Sequence, residues 1–194
     1  MTTSLPHLTH ALFTQPTPSI LLPIALGTGI GYSTRPTQTK KTYLSMKQPP
    51  LRPPPWVFGP VWTALYGLMG YAAHRAYTLS LPPSLSSHPP TPTPTSPIPL
   101  LYTLQLSLNL AWMPLFFTLR RPGLALLDIG ALVGLNSYLA YRYFAIDSLA
   151  GWCVVPYLAW LGFATYLNAG VGYLNRWDIS ESTLATREAL GKRE

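Results

Sequence analysis

The sequence predicts an all-α protein, an integral membrane bundle of five transmembrane helices. Three observations carry that expectation. The chain is 48% apolar and only 10% charged, where a soluble domain carries roughly a quarter charged residues. The deficit gathers in five runs, about 19–34, 56–79, 100–119, 123–144 and 148–175. Basic residues collect in alternate connections between those runs. A globule of 194 residues lacks the material to wrap five all-round apolar helices in an amphipathic shell.

The elements follow in order. Residues 1–18 form a short N-terminal tail without Lys or Arg, so the first run lacks the basic start of a cleaved signal peptide. That run is the short one, and it needs flanking residues, little tilt or a thinned bilayer. The other four have the roughly 20 residues that cross about 30 Å of hydrocarbon. The second run carries only Arg75, near its end, and the third and fifth carry no charge. The fourth contains only Asp128 and Arg142.

Between the first two runs lies a lid loop, 35–55, with Pro49, Pro50, Pro53, Pro54 and Pro55. These prolines predict a stiff, extended strut across the mouth of the bundle. Pro55 suits the first position of the second helix. Pro60 denies the Trp56 carbonyl its helical partner, so that group needs another donor. The stretch "LPPSLSSHPPTPTPTSPIP" predicts a disordered Pro-rich loop over 80–99. Residues 176–194 form a charged C-terminal tail.

Five spans put the lid loop, the turn at 120–122 and the tail on one side. That side holds Arg35, Lys40, Lys41, Lys47, Arg52, Arg120, Arg121, Arg176, Arg187, Lys192 and Arg193, eleven of the thirteen Lys and Arg residues. The positive-inside rule places it, and the C-terminus, in the cytosol. The net charge of +7 then reflects anionic headgroups rather than nucleic acid. Cys153 stands alone, which excludes an intrachain disulfide. His7, His10, His74 and His88 show no metal-ligand spacing, and no metal is expected.

Gln105, Asn109, Trp112 and Phe116 share one face of the third span. Amides inside a membrane mark helix contacts or a ligand cavity. Asp128 is the single carboxylate within a span; Arg121, seven residues earlier, either partners it or points to the headgroups. At about 1.5 Å rise per residue, Trp62, Trp112 and Asp128 lie about 9, 10 and 8 Å from the cytosolic ends of their helices. Trp160, Ala164 and Leu167 share a face of the fifth span. Aromatic walls, amides and a carboxylate at matching depth predict a pocket opening toward the cytosol. Gly27/Gly31 and Gly130/Gly134 are GxxxG pairs that permit close helix approach.

Four motifs in order, around 53–71 ("FGPVWTALYGLMGY"), at 102–117 ("YTLQLSLNLAWMPLFF"), 125–133 ("ALLDIGALV") and 156–168 ("PYLAWLGFATYLN"), resemble the TspO/MBR family of translocator proteins. The resemblance runs from about Gly27 to Asn175. It implies a five-helix bundle, a homodimer, that binds tetrapyrroles such as protoporphyrin IX or haem, and in animal members sterols. Carried over by position, the ligand site comprises Tyr43, Trp62, Tyr66, Asn109, Trp112, Trp160, Ala164 and Leu167, with Asp128 at a family acidic position. Where the family's lid has an aromatic residue, this chain has Leu51. The sterol motif survives only as Val171, Tyr173 and Arg176. The resemblance also implies the mitochondrial outer membrane, in preference to the endoplasmic reticulum.

The expected function is therefore non-enzymatic: membrane binding of a tetrapyrrole, with no obligatory cofactor, for transport, scavenging or stress-linked regulation. The expected partners are membrane lipids, the tetrapyrrole and a sterol. The alternatives are a lipid or sterol transporter, bending at Pro23, Pro114 and Pro156, and a membrane enzyme degrading porphyrin through Asp128.

Overall fold

A computed structural model describes residues 12–34, 36–81, 97–180 and 182–184. Among them every regular element is helical and no strand occurs. Helix α1 is Pro16–Ser33, α2 is Pro36–Ser45 and α3 is Phe58–Ser80, entered through a 3-10 turn at Pro55–Val57. Helix α4 is Ile98–Met113, continued by a π-helical turn at Pro114–Thr118, α5 is Pro122–Ile146 and α6 is Ser148–Leu174. Four of the five long helices fall within two residues of the expected runs. Helix α1 starts three residues early, with Pro16 in its first turn, where a missing N–H costs nothing.

The five long helices close into a ring in the order α1, α4, α5, α6, α3, and α3 also touches α4 and α5 across it. Small residues let the backbones approach. Ala72, Ala73 and Ala76 on α3, Ala125 on α5 and Ala150 on α6 are wholly buried. At Gly70 the α1 backbone at Ser19 comes so close that any Cβ would collide with it. Outside the ring the pattern inverts: Leu100, Leu127, Tyr141 and Trp152 are each more than 60% exposed. Large side chains facing outward on all sides belong to a lipid-facing surface, not a water-facing one.

Among the described residues three helices are long and apolar enough to cross a membrane: Ile98–Thr118, Pro122–Ile146 and Ser148–Leu174. Helices α1 and α3 fall short of that standard, so the expected count of five spans stands at three by length and composition. The reason is visible in their residues. Helix α1 spends its 18 positions on Pro, Thr and Gly as well as Leu and Ile. Helix α3 buries tyrosines and alanines and carries His74 and Arg75 near its end.

The lid is not extended throughout. Ahead of the proline run, residues 36–45 form helix α2; Pro36 opens it where a missing N–H costs nothing, although its threonines are weaker helix formers. Tertiary contacts override that propensity: Met46, just after the helix, is buried with Phe116, Ala125, Val171, Ile179 and Leu184. The Gln48 amide also caps the helix by donating to the Tyr43 carbonyl. The proline run is broken by a turn at Pro50–Leu51, with Leu51 at φ 63°. The run is thus two short extended pieces joined by a reversal.

At the opposite end of the ring, Phe13 lies between Tyr77 and Tyr102, at centroid distances of 5.7 and 5.5 Å. Phe13, three residues before α1, is therefore packed rather than trailing as part of a tail. Arg75 on α3 grips Asp147 in the α5–α6 turn through Nε at 2.7 Å and Nη2 at 3.1 Å. Asp147 also caps α6 by accepting from the Ala150 N–H at 2.9 Å. The expected disordered loop lies outside the described residues, apart from its ends at 80–81 and 97–99. So do residues 1–11 and 185–194 of the expected tails.

Candidate functional site: an aromatic cleft beneath the lid

Helical spacing puts Phe58, Trp62 and Tyr66 on one face of α3, four residues apart. Tyr157, Trp160 and Ala164 share a face of α6, at spacings of three and four. Where α3 and α6 meet, their rings interlock. Tyr43 of the lid meets Phe58 edge-on at 5.8 Å, and Phe58 meets Trp160 at 6.0 Å. Trp160 meets Trp62 at 6.3 Å, and Trp62 stacks on Tyr66 at 5.3 Å. Trp62 also touches Tyr157 at 6.2 Å. The result is a continuous ladder of rings from the lid into the bundle.

The ladder ends on a polar floor. Asn109 of α4 is buried, and its Oδ1 accepts from the Tyr66 hydroxyl at 2.6 Å. Its Nδ2 donates to the Tyr157 hydroxyl at 2.5 Å. One amide thus joins α3, α4 and α6, and fixes two rings of the wall. An amide is suited to this because it both donates and accepts. Gln105, one turn away and also buried, leaves its Oε1 without a partner among the described residues.

The lid is latched above this ring ladder. Tyr43 donates its hydroxyl to the Pro53 carbonyl at 2.8 Å, closing the lid on itself. Burial pushes the Tyr43 phenol up, against a smaller downward pull from Arg52, so it remains the neutral donor this bond needs. Asn175, at the end of α6, accepts from the Lys47 N–H at 3.2 Å and donates to the Lys47 carbonyl at 2.7 Å. Tyr166 donates to the Pro50 carbonyl at 2.9 Å. Pro49 rests on Gly170, where a Cβ would approach its ring to 2.7 Å.

The expected site residues divide. Tyr43, Trp62, Tyr66, Asn109 and Trp160 come together, and Ala164 and Leu167 continue their α6 face half-buried. Trp112 packs against the same buried core as Trp62 and Trp160, and it also stacks on Phe116 at 5.1 Å and meets Phe117 edge-on at 6.0 Å at the seat of the lid. Its Nε1 donates to Asn168 Oδ1 at 3.3 Å, and Asn168 donates to the Pro122 carbonyl at 2.8 Å. Trp112 therefore ties α4 to α6 and to the start of α5. Asp128 is buried, and its Oδ2 has no partner among the described residues, while Arg121 is exposed. Of the two alternatives for Arg121, the structure favours the headgroup side. The sterol-motif residues diverge: Val171 is buried, Tyr173 is 79% exposed and Arg176 lies beyond the helix end, exposed. Leu51 is 84% exposed and supplies no contact to the cleft.

Phe58, Tyr157, Asn168 and Asn175 were not anticipated as part of the site. Phe58 had a readable signal, one helical turn before Trp62. Asn168 and Asn175, seven apart and so on nearly one face of α6, were equally readable as buried amides. Tyr157 had no signal that distinguishes it from an interfacial anchor.

A model of the TspO/MBR family matches residues 19–174. The chain is 44% identical over 155 residues to a translocator protein homolog of Schizosaccharomyces pombe, covering 80% of this chain and 88% of that protein. It is 39% identical over 127 residues to the translocator protein of Homo sapiens, covering 65% and 70% respectively. It is 34% identical over 158 residues to the tryptophan-rich protein TspO of Archaeoglobus fulgidus, covering 81% and 94%.

Proposed function

This chain belongs to the TspO/MBR family, and from that premise we propose a five-span membrane protein that binds a tetrapyrrole in the aromatic cleft. The observation that carries the reading is the ring ladder Tyr43–Phe58–Trp160–Trp62–Tyr66 standing on the Asn109 floor. A flat macrocycle such as protoporphyrin IX or haem offers large faces to stack on such rings. Lys47 and Arg52 of the lid supply cations for its propionates. The cleft residues named here include no histidine, so the reading does not rest on iron ligation.

In this reading α1 and α3 cross the membrane with the other three long helices, their polar and aromatic positions turned inward. The basic face carrying the lid and the tail is cytosolic, and the membrane is the mitochondrial outer membrane. Binding serves transport, scavenging or regulation, without catalysis. The exposed α5 face at Gly130 and Gly134, where an added Cβ would meet open space, is where a second copy packs to make a homodimer. Sterol recognition through Val171, Tyr173 and Arg176 is not part of the reading, because those side chains do not converge.

The test is titration of the full-length protein with protoporphyrin IX, read as saturable quenching of tryptophan emission. Trp62→Ala and Trp160→Ala should each weaken binding at least tenfold. Unchanged affinity in both overturns the assignment of the cleft.

A further inference from the structure

We propose that a basic hollow at the α4–α5 turn, separate from the aromatic cleft, holds the phosphate of an anionic lipid. The hollow has a volume of about 650 Å³, and its lining includes Leu119, Arg120, Arg121, Trp177 and Asp178. It stands whatever the cleft binds, and needs only that α4 and α5 cross a membrane.

Both walls are built by unusual backbone. On one side the π turn ends α4 with wide hydrogen bonds, from Leu119 N to the Pro114 carbonyl at 2.8 Å and from Arg121 N to the Leu115 carbonyl at 3.0 Å. Arg120 follows at φ 53°, so the chain reverses within three residues and brings two arginines to one rim. On the other side Arg176 and Trp177 are both left-handed, at φ 56° and 59°, a conformation that L residues adopt only at a cost. That cost is met by the Trp177 N–H donating to the Gly172 carbonyl at 2.7 Å. The Trp177 ring lies so close to Gly172 that any Cβ there would collide with it. Trp177 is thereby held as a wall of the hollow rather than left as a loose anchor.

The chemistry of the rim selects the ligand. Guanidinium groups present planar forks of N–H donors that match phosphate oxygens. Asp178 is the opposing charge in the hollow, its Oδ1 accepting from Ser180 N at 2.9 Å and its Oδ2 from the Thr183 hydroxyl at 2.7 Å; against two arginines, one carboxylate leaves the lining with a net positive charge. The apolar part of the rim, Leu119 at 59% exposed and Trp177 at 48%, favours a phosphate that arrives attached to acyl chains. The hollow sits where two membrane-length helices end, on the basic face, where headgroups of anionic lipids concentrate.

The experiment uses the full-length protein in neutral detergent, titrated with dioctanoyl phosphatidylglycerol, dioctanoyl phosphatidylcholine and inorganic phosphate. Native mass spectrometry reads occupancy. Phosphatidylglycerol should bind at least tenfold more tightly than either comparison ligand. Arg121→Gln should weaken phosphatidylglycerol at least fivefold; Arg121 is exposed, so the substitution leaves the packing intact. Lys40→Gln with Lys41→Gln removes two charges of the basic loop that do not line the hollow, and should change affinity less than twofold. Equal binding of inorganic phosphate overturns the lipid assignment. Insensitivity to Arg121→Gln, or equal loss in the Lys40/Lys41 variant, overturns the site itself.

Discussion

Asn175, at the last turn of α6, holds the backbone of Lys47 by both its N–H and its carbonyl, across 128 residues of sequence. A single buried amide therefore fixes where the lid begins its path over the cleft. Losing two hydrogen bonds, and leaving their backbone partners to find water, should cost about 1–3 kcal/mol. Asn175→Ala should lower the melting midpoint and speed hydrogen exchange across 46–52. Exchange that is raised elsewhere but not in the lid would show that Asn175 supports α6 alone.

Gly170 makes room for Pro49, so Gly170→Ala should lift the same segment by steric means. The two substitutions disturb one contact surface, and their effects should be less than additive. Full additivity in a double-mutant cycle would separate the two contacts.

Asn109 satisfies two tyrosine hydroxyls at once. Asn109→Leu removes both partners inside a dry bundle and should destabilise by about 2–4 kcal/mol. Adding Tyr66→Phe and Tyr157→Phe removes the orphaned hydroxyls and should restore a large part of the loss. Thermal unfolding in detergent reads the difference. No recovery in the triple variant would mean that Asn109 matters through shape and not through its hydrogen bonds.

The Arg75–Asp147 pair predicts a pH effect. Hydrogen bonding from Arg75, then from the Ala150 N–H, holds the Asp147 carboxyl below its usual range. A lowered folded-state value stabilises above the unfolded pKa, and that contribution is lost as the pH falls through the folded value. The melting midpoint should therefore decline on acidification from pH 5 toward pH 3. The side chains are 33% and 17% exposed, so water and salt keep the effect small. Asp147→Asn keeps a residue that can cap α6 but removes the charge, and should flatten the acid limb. An unchanged limb would assign the decline to other carboxylates.

Much of this architecture was readable before any coordinates. Charge-poor runs located the five long helices, because a stretch of 16 to 28 residues with at most two charges has few other places to go. Face spacing brought Trp62 together with Tyr66, and Trp160 with Ala164, because a helix repeats every 3.6 residues. The surroundings of Trp112 were half readable. Its shared face with Asn109 and Phe116 anticipated the stack on Phe116, but helical spacing could not foresee the π turn at Pro114–Thr118 and the edge-on contact with Phe117.

The lid shows the same division most sharply. Proline count correctly marked 49–55 as special, but local stiffness does not choose a direction. Burial of Met46, the Lys47–Asn175 latch and the Pro49–Gly170 contact chose it, and they anchor the chain just after helix 36–45. Sequence alone determined which segments avoid water and which end of the bundle is basic, since both follow from composition along the chain. Only the tertiary structure decided which rings meet, because that depends on helix rotation and on contacts between residues more than a hundred positions apart.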